Sequence, residues 1–173
     1  ILGLVGSEMC IRDRSTAYDV SSATYAGNSE RYDVGSQESS ARSIAFNNDG
    51  TKMFITGAVS DDIHEYTLSN AYDVSTSTYA GASESFSVSE DAAPMSVVFN
   101  NNGTKMYVLG RAGDDVNEYS LSTAFDISSA SYTQVFSVAA QEAFPSGMAF
   151  NNDGTKMFVV GHSGDDVNEY SLS

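Results

Sequence analysis

One unit of sequence is used three times. Phe46–Phe54 (FNNDGTKMF) returns as Phe99–Tyr107 and as Phe150–Phe158, at offsets of 53 and 51 residues. GDDVNEYSLS at 113–122 is repeated identically at 164–173. AYDVSSATYAG at 17–27 returns as AYDVSTSTYAG at 71–81, and loosely as AFDISSASY at 124–132. Self-similarity at such a period means that each copy is one supersecondary unit burying its apolar faces against its neighbours. Cutting after each EY-x-L divides the chain into repeats 15–68, 69–121 and 122–173.

Within a repeat the pattern is that of strands. No segment carries an i, i+3, i+4, i+7 apolar stripe, and the apolar residues are largely β-branched or aromatic. Ser43–Phe46 and Lys52–Gly57 read as strands joined by Asn47-Asn48-Asp49-Gly50-Thr51. That is the sequence of a type I turn closed by a G1 bulge, with glycine where φ must be positive. Gly103 and Gly154 repeat it. The third strand is Asp62–Leu68, matched by 115–121 and 166–172. Val116 and Tyr119 fall on opposite faces of a regular strand, which predicts a bulge near Asn117-Glu118. The fourth strand is Glu84–Val88, with counterparts at 30–34 and 134–138.

Four short strands at a period near fifty match propeller blades. Together with Pro94 and Pro145 before strand one, the FNNDGTK hairpin and the EY-x-L strand, the arrangement resembles the YVTN, NHL and lactonase-like β-propellers, with WD-repeat-like architecture. The resemblance implies an all-β fold: a partial β-propeller of three four-stranded antiparallel blades, an open arc cut from a larger ring. It implies the remaining blades of that propeller as partners, and it carries no single function.

Leu4–Arg14 (LVGSEMCIRDR) resembles the translation of a sequencing adapter, so residues 1–14 are expected to add no blade element. Cys10, the only cysteine, lies there. The repeats therefore offer no disulfide, cysteine zinc site or thiol nucleophile. Net charge is −15, from 23 acidic and 8 basic residues. Without Lys/Arg clusters to displace counterions, nucleic acid is excluded as a partner. No apolar run is long enough for a membrane span. The acidic, Ser/Thr-rich composition suits an extracellular or cell-surface protein.

Candidate chemistry lies between strands two and three and before strand one, in loops that emerge on one face of a propeller. Asp61-Asp62, Asp114-Asp115 and Asp165-Asp166, with Glu38, Glu90-Asp91 and Glu142, make that face acidic. Oxygen ligands of this kind suit Ca²⁺, the one cofactor the motifs allow, while aspartate is equally a turn residue. His64 and His162 do not recur and read as structural or surface histidines. No G-x-S-x-G elbow is present. Glu65, Glu118 and Glu169 predict a repeated cross-blade hydrogen bond, and Met53, Met106 and Met157 predict core. The repeats differ most at Ala58/Arg111/His162, ending strand two, and at Arg42/Met95/Ser146 beside Ser40/Ala93/Phe144. Arg42, Arg111 and His162 are thus the candidate ligand-binding set, for a protein, small-molecule or glycan ligand. The expected function is a non-catalytic binding or scaffold module. The alternatives are part of a lactonase- or lyase-like propeller enzyme, or a purely structural array.

Overall fold

The computed structural model describes residues 20–172. The expectation for residues 1–14 lies outside the described residues. Two compact units are distinguished, ending and beginning at Arg31 and Tyr32. In the first, Val20–Ser22 and Asn28–Glu30 form single 3₁₀ turns, and the Tyr25 hydroxyl donates to Asn28 Oδ1 at 3.0 Å.

The second unit is three antiparallel sheets. The first contains β1 (Ala41–Phe46), β2 (Lys52–Gly57), β3 (Asp62–Leu68), β4 (Ser77–Tyr79) and β5 (Ser85–Ser87), with both β4 and β5 paired to β3. The second is β6 (Pro94–Phe99), β7 (Lys105–Gly110), β8 (Asp115–Leu121) and β9 (Ala130–Ser137), in that order. The third is β10 (Pro145–Phe150), β11 (Lys156–Gly161) and β12 (Val167–Ser171). The first strands β1, β6 and β10 are neighbours from sheet to sheet, with β6 in the middle.

Each hairpin forms as its turn residues require. Gly50, Gly103 and Gly154 have φ of 73°, 70° and 71°. Gly50 N–H donates to Asn47 O, and Asn47 Oδ1 accepts from Lys52 N–H. The Asp49 carboxylate takes both the N–H and the hydroxyl of Thr51. One asparagine per tip also reaches the next repeat: Asn48 Nδ2 donates to Asn101 O at 2.7 Å, and Asn101 Nδ2 to Asn152 O at 2.6 Å.

The three glycines differ in what surrounds them. A Cβ on Gly103 would meet the Phe125 ring at 2.2 Å, whereas one on Gly154 would meet nothing within 4 Å. Gly154→Ala should therefore cost about 1 kcal/mol, from backbone strain alone. Gly103→Ala should cost at least about 2 kcal/mol more, because the ring must also move. Equal losses in chemical denaturation would contradict this packing.

Two expectations are corrected. The first concerns strand three, where β7 and β8 pair without a bulge. The irregularity lies in the β8–β9 pairing, where Glu118 and Tyr119 face Gln134 and Tyr132 and the extra residue is Thr133 on β9. Val116 and Tyr119 are both apolar because the middle sheet is buried on both faces. Tyr119 joins Phe54, Val88 and Val97 on one side, and Val116 joins Leu109, Met157 and Val159 on the other. The second concerns the fourth strand. Residues 31–34 form no strand, and the third sheet has three strands among the described residues. The outer strands β4, β5 and β9 belong to repeats 69–121 and 122–173, yet they pair with β3 and β8 of the preceding repeats. The first and second sheets thus borrow their outer strands from the repeat that follows.

Candidate functional site

Of the acids before strand one, only Glu90 is exposed, accepting from the Tyr119 hydroxyl at 2.7 Å. Glu38, Asp91 and Glu142 are buried and accept backbone N–H donors from two loops at once. Glu38 takes those of Ser40 (2.6 Å) and Ser60 (3.1 Å). Asp91 takes Ala93 (2.7 Å) and Gly113 (2.6 Å), and Glu142 takes Phe144 (2.7 Å) and Ser163 (2.9 Å). Each carboxylate is a clasp holding the start of strand one to the loop after strand two. A Cβ on Gly57, Gly110 or Gly161 would lie 2.3–2.4 Å from the clasp carboxyl group, which explains the glycine ending strand two in every repeat. Burial opposes ionisation of Glu38 and Glu142, but the donors outweigh it and hold both below the ordinary glutamate range. Sequence reasoning placed these acids in a ligand-facing field. The overlooked signal was their own spacing, which matches that of the hairpins.

The aspartate pairs divide the work between them. Asp61, Asp114 and Asp165 have φ of 57°, 50° and 53°, the left-handed region that aspartate tolerates better than most side chains. The second members bond locally: Asp115 accepts from Asn117 Nδ2 (2.7 Å) and Asp166 from Asn168 Nδ2 (2.9 Å). Burial, then the Asp91 charge, raises the Asp115 pKa. Among the described residues no group of three or more His, Cys, Asp or Glu side chains could hold a metal ion.

Glu65, Glu118 and Glu169 make no ring and no bond across blades. Each forms an ion pair within its own sheet, with Lys52, Lys105 or Lys156, at 2.6–2.7 Å. The pairs are diagonal cross-strand neighbours, as the register of the two strands dictates.

His64 is buried, with Nε2 3.1 Å from Ser60 Oγ and Nδ1 3.1 Å from Ser85 Oγ. The other repeats have glycine for Ser60 and asparagine for His64. Ser60 also donates to Glu38, and Ser85 to Asp62. Burial lowers the His64 pKa, against the pull of Asp62 and Glu38. This histidine is structural.

The divergent positions lie together at one end of the sheets. Arg42, Met95 and Ser146 are the unpaired residues of the register shifts in β1, β6 and β10. A bulge residue is free of the ladder and aims its side chain independently. Residues 58, 111 and 162 donate their N–H groups to the carbonyls of 40, 93 and 144, so these two variable sets are cross-strand partners. Between the second and third sheets one candidate side chain packs on a residue that is bonded to the backbone of another. The Arg111 guanidinium lies 5.3 Å over the Phe144 ring, and His162 N–H bonds Phe144 O at 3.1 Å. Arg42 sits at the corresponding end of the first sheet, exposed.

No family model and no curated protein matches the chain. Among solved structures it is similar to a 6-phosphogluconolactonase candidate from Bacteroides uniformis, at 16% identity and a TM-score of 0.60, over 77% of this chain and 37% of that one. It is similar to the periplasmic gluconolactonase of Pseudomonas aeruginosa (15% identity, TM-score 0.58, 77% and 36% covered). It is likewise similar to the β-propeller domain of Myceliophteria thermophila Cps50 (Swd1) (9%, 0.56, 77% and 40%). The chain thus spans about two fifths of the length of the structures it resembles. Its three antiparallel sheets, packed side by side through their first strands, are a partial β-propeller.

Proposed function

We propose that the chain is the three-blade portion of a lactonase-like propeller that acts on the lactone of a sugar acid. This enzyme reading displaces the non-catalytic scaffold expected from sequence, because two of the three structures compared above bear lactonase names. The observation that carries it is the seating of the Arg111 guanidinium over Phe144, the residue whose carbonyl accepts from the His162 backbone N–H. Opening a lactone requires a base to take a proton from the attacking water, and a phosphorylated sugar lactone also offers a phosphate that a cation can hold. Arg111, braced on the aromatic face, supplies a guanidinium fork for the substrate's phosphate or for the carboxylate that ring opening produces. His162, exposed at the end of the same strand pair, would supply an imidazole as the base, and Arg42 a further cation on the first sheet. The nearby carboxylate of Glu142 does not repel such a ligand strongly, because its charge is spread over the N–H groups of Phe144 and Ser163.

The test is calorimetric titration of the chain with 6-phosphogluconate, the stable product of such a reaction. Arg111→Ala with His162→Ala should weaken binding at least about tenfold, the worth of one charge-assisted hydrogen bond, while the melting temperature stays put. No binding by the parent chain, or equal binding by the double variant, would overturn the reading.

A further inference from the structure

The second hairpin tip differs from the other two at the residue before its glycine. Asp49 and Asp153 precede Gly50 and Gly154, but Asn102 precedes Gly103, and this is the only Asn-Gly pair in the sequence. The amide is bonded as the two carboxylates are. Asn102 Oδ1 accepts from the Thr104 N–H at 3.1 Å and the Thr104 hydroxyl at 2.6 Å. Asp49 takes the same two groups of Thr51 at 3.0 and 2.6 Å, and Asp153 those of Thr155 at 3.0 and 2.6 Å. Thr104 Oγ in turn accepts from Asn100 Nδ2 at 3.3 Å, which leaves its hydrogen for Asn102.

The nitrogen end of this amide is idle. Asn47, Asn100 and Asn151 donate Nδ2 to the threonine of their own tip, and Asn48 and Asn101 donate theirs to the next tip. Asn102 Nδ2 has no partner among the described residues, and the residue is exposed. Its neighbour Gly103 has no Cβ to shield the main-chain nitrogen.

We propose that Asn102 is a self-modification site, converted to aspartate by its own tip, so that all three tips come to read Asn-Asn-Asp-Gly-Thr. Gly103 N attacks Asn102 Cγ and gives its proton to solvent. The N–Cγ bond forms, the Cγ–Nδ2 bond breaks, and ammonia leaves from a cyclic imide. Water then adds to Cγ, and the N–Cγ bond breaks again. The net change is asparagine plus water to aspartate plus ammonia. Both additions to Cγ place negative charge on Oδ1, where two Thr104 donors already point, and preorganised donors at a developing oxyanion lower its barrier. The Gly103 N–H is bonded to Asn100 O at 3.0 Å, so closure proceeds through local opening of an exposed turn.

Water adding instead to the main-chain carbonyl yields isoaspartate, with an extra methylene in the backbone. Among the described residues that carbonyl oxygen has no donor to stabilise the addition. The longer link also displaces Gly103 from its φ of 70° beside the Phe125 ring. Aspartate fits without rearrangement, as the first and third tips show. The Thr51 and Thr155 hydroxyls hold Asp49 and Asp153 below the ordinary aspartate range, so the new carboxylate is ionised and adds one negative charge. The inference does not rest on the lactonase reading.

The experiment holds the full chain at mildly alkaline pH and samples it by anion exchange. Tandem mass spectrometry of digests then locates the change, with electron-transfer fragmentation separating aspartate from isoaspartate. The expected result is one later-eluting species with the amide-to-acid mass gain at Asn102, mostly as aspartate. The same chain unfolded in guanidinium chloride should give mostly isoaspartate. Thr104→Ala should raise the isoaspartate share several-fold in the folded chain, and Thr104→Ser should return it to the parent's. Asn102→Asp should co-elute with the product and keep the parent's circular dichroism. A parent chain with no mass gain at Asn102, an isoaspartate share unchanged by unfolding, or a Thr104→Ala share equal to the parent's would each overturn the inference.

Discussion

Asp91→Ala should lower the stability of the chain by about 3 kcal/mol and its melting temperature by about 8 °C. The reason is geometric. The carboxylate accepts the N–H groups of Ala93 and Gly113 at 2.7 and 2.6 Å, with Ala112 at 3.4 Å, and it is buried. Deleting it leaves three backbone donors without their acceptor, the costly half of any hydrogen bond. It also leaves a void against Gly110, which exists to admit this side chain. Asp91→Asn keeps an acceptor oxygen and should lose about half as much. The equivalent Glu38 and Glu142 give the clasps a pH signature. Their donors hold the folded-state pKa values below the ordinary 4.5. Their contribution is therefore complete above that value and is lost as pH falls through the folded-state values. Thermal melts from neutral to acid pH should show the decline begin there. A flat profile, or an Asp91→Ala variant as stable as the parent, would remove the clasps from the account.

The repeated ion pair offers a second test, with one chemistry in three environments. Glu65 is 3% exposed, Glu118 13% and Glu169 48%. Lys52→Ala should cost about 3 kcal/mol, since it abandons a buried carboxylate that already has one unpartnered oxygen. It also removes the donor to Phe125 O at 2.9 Å. Lys156→Ala, at the exposed end of the series, should cost under about 1 kcal/mol. Burial raises the Glu65 pKa and the Lys52 hydrogen bond opposes it. Without the lysine the carboxyl takes a proton more readily, so the deficit of Lys52→Ala should shrink as pH is lowered. Equal costs at the two lysines would mean that burial does not set the worth of this pair.

The parts of the fold legible in the sequence were those decided locally. The Asn-Asn-Asp-Gly-Thr turn dictates its hairpin because glycine alone is at ease at that φ, and Lys52–Gly57 and Asp62–Leu68 are strands to the residue. What was misread depends on neighbours. Val116 and Tyr119 suggested a bulge because one solvated face was assumed, and the middle sheet has none. Glu38, Asp91 and Glu142 look in sequence like any loop acid, and only the fold shows that each faces two sets of amides. The outer strand's true partner was hidden because pairing crosses the repeat boundary. Of the candidate ligand set, divergence between repeats picked positions that lie at one end of the sheets. Phe144, which joins Arg111 to His162, was noticed only as a variable neighbour.

Pairing across the repeat boundary has a genetic consequence. The identical tracts at 113–122 and 164–173 are natural substrates for unequal recombination. An exchange between them inserts or deletes one full period in frame. Because the first and second sheets draw their outer strands from the following period, and because their hairpin-tip asparagines bond the next tip, the new junction is assembled from positions already matched to one another. A gene of this design can change its number of blades in a single event without first evolving a new interface.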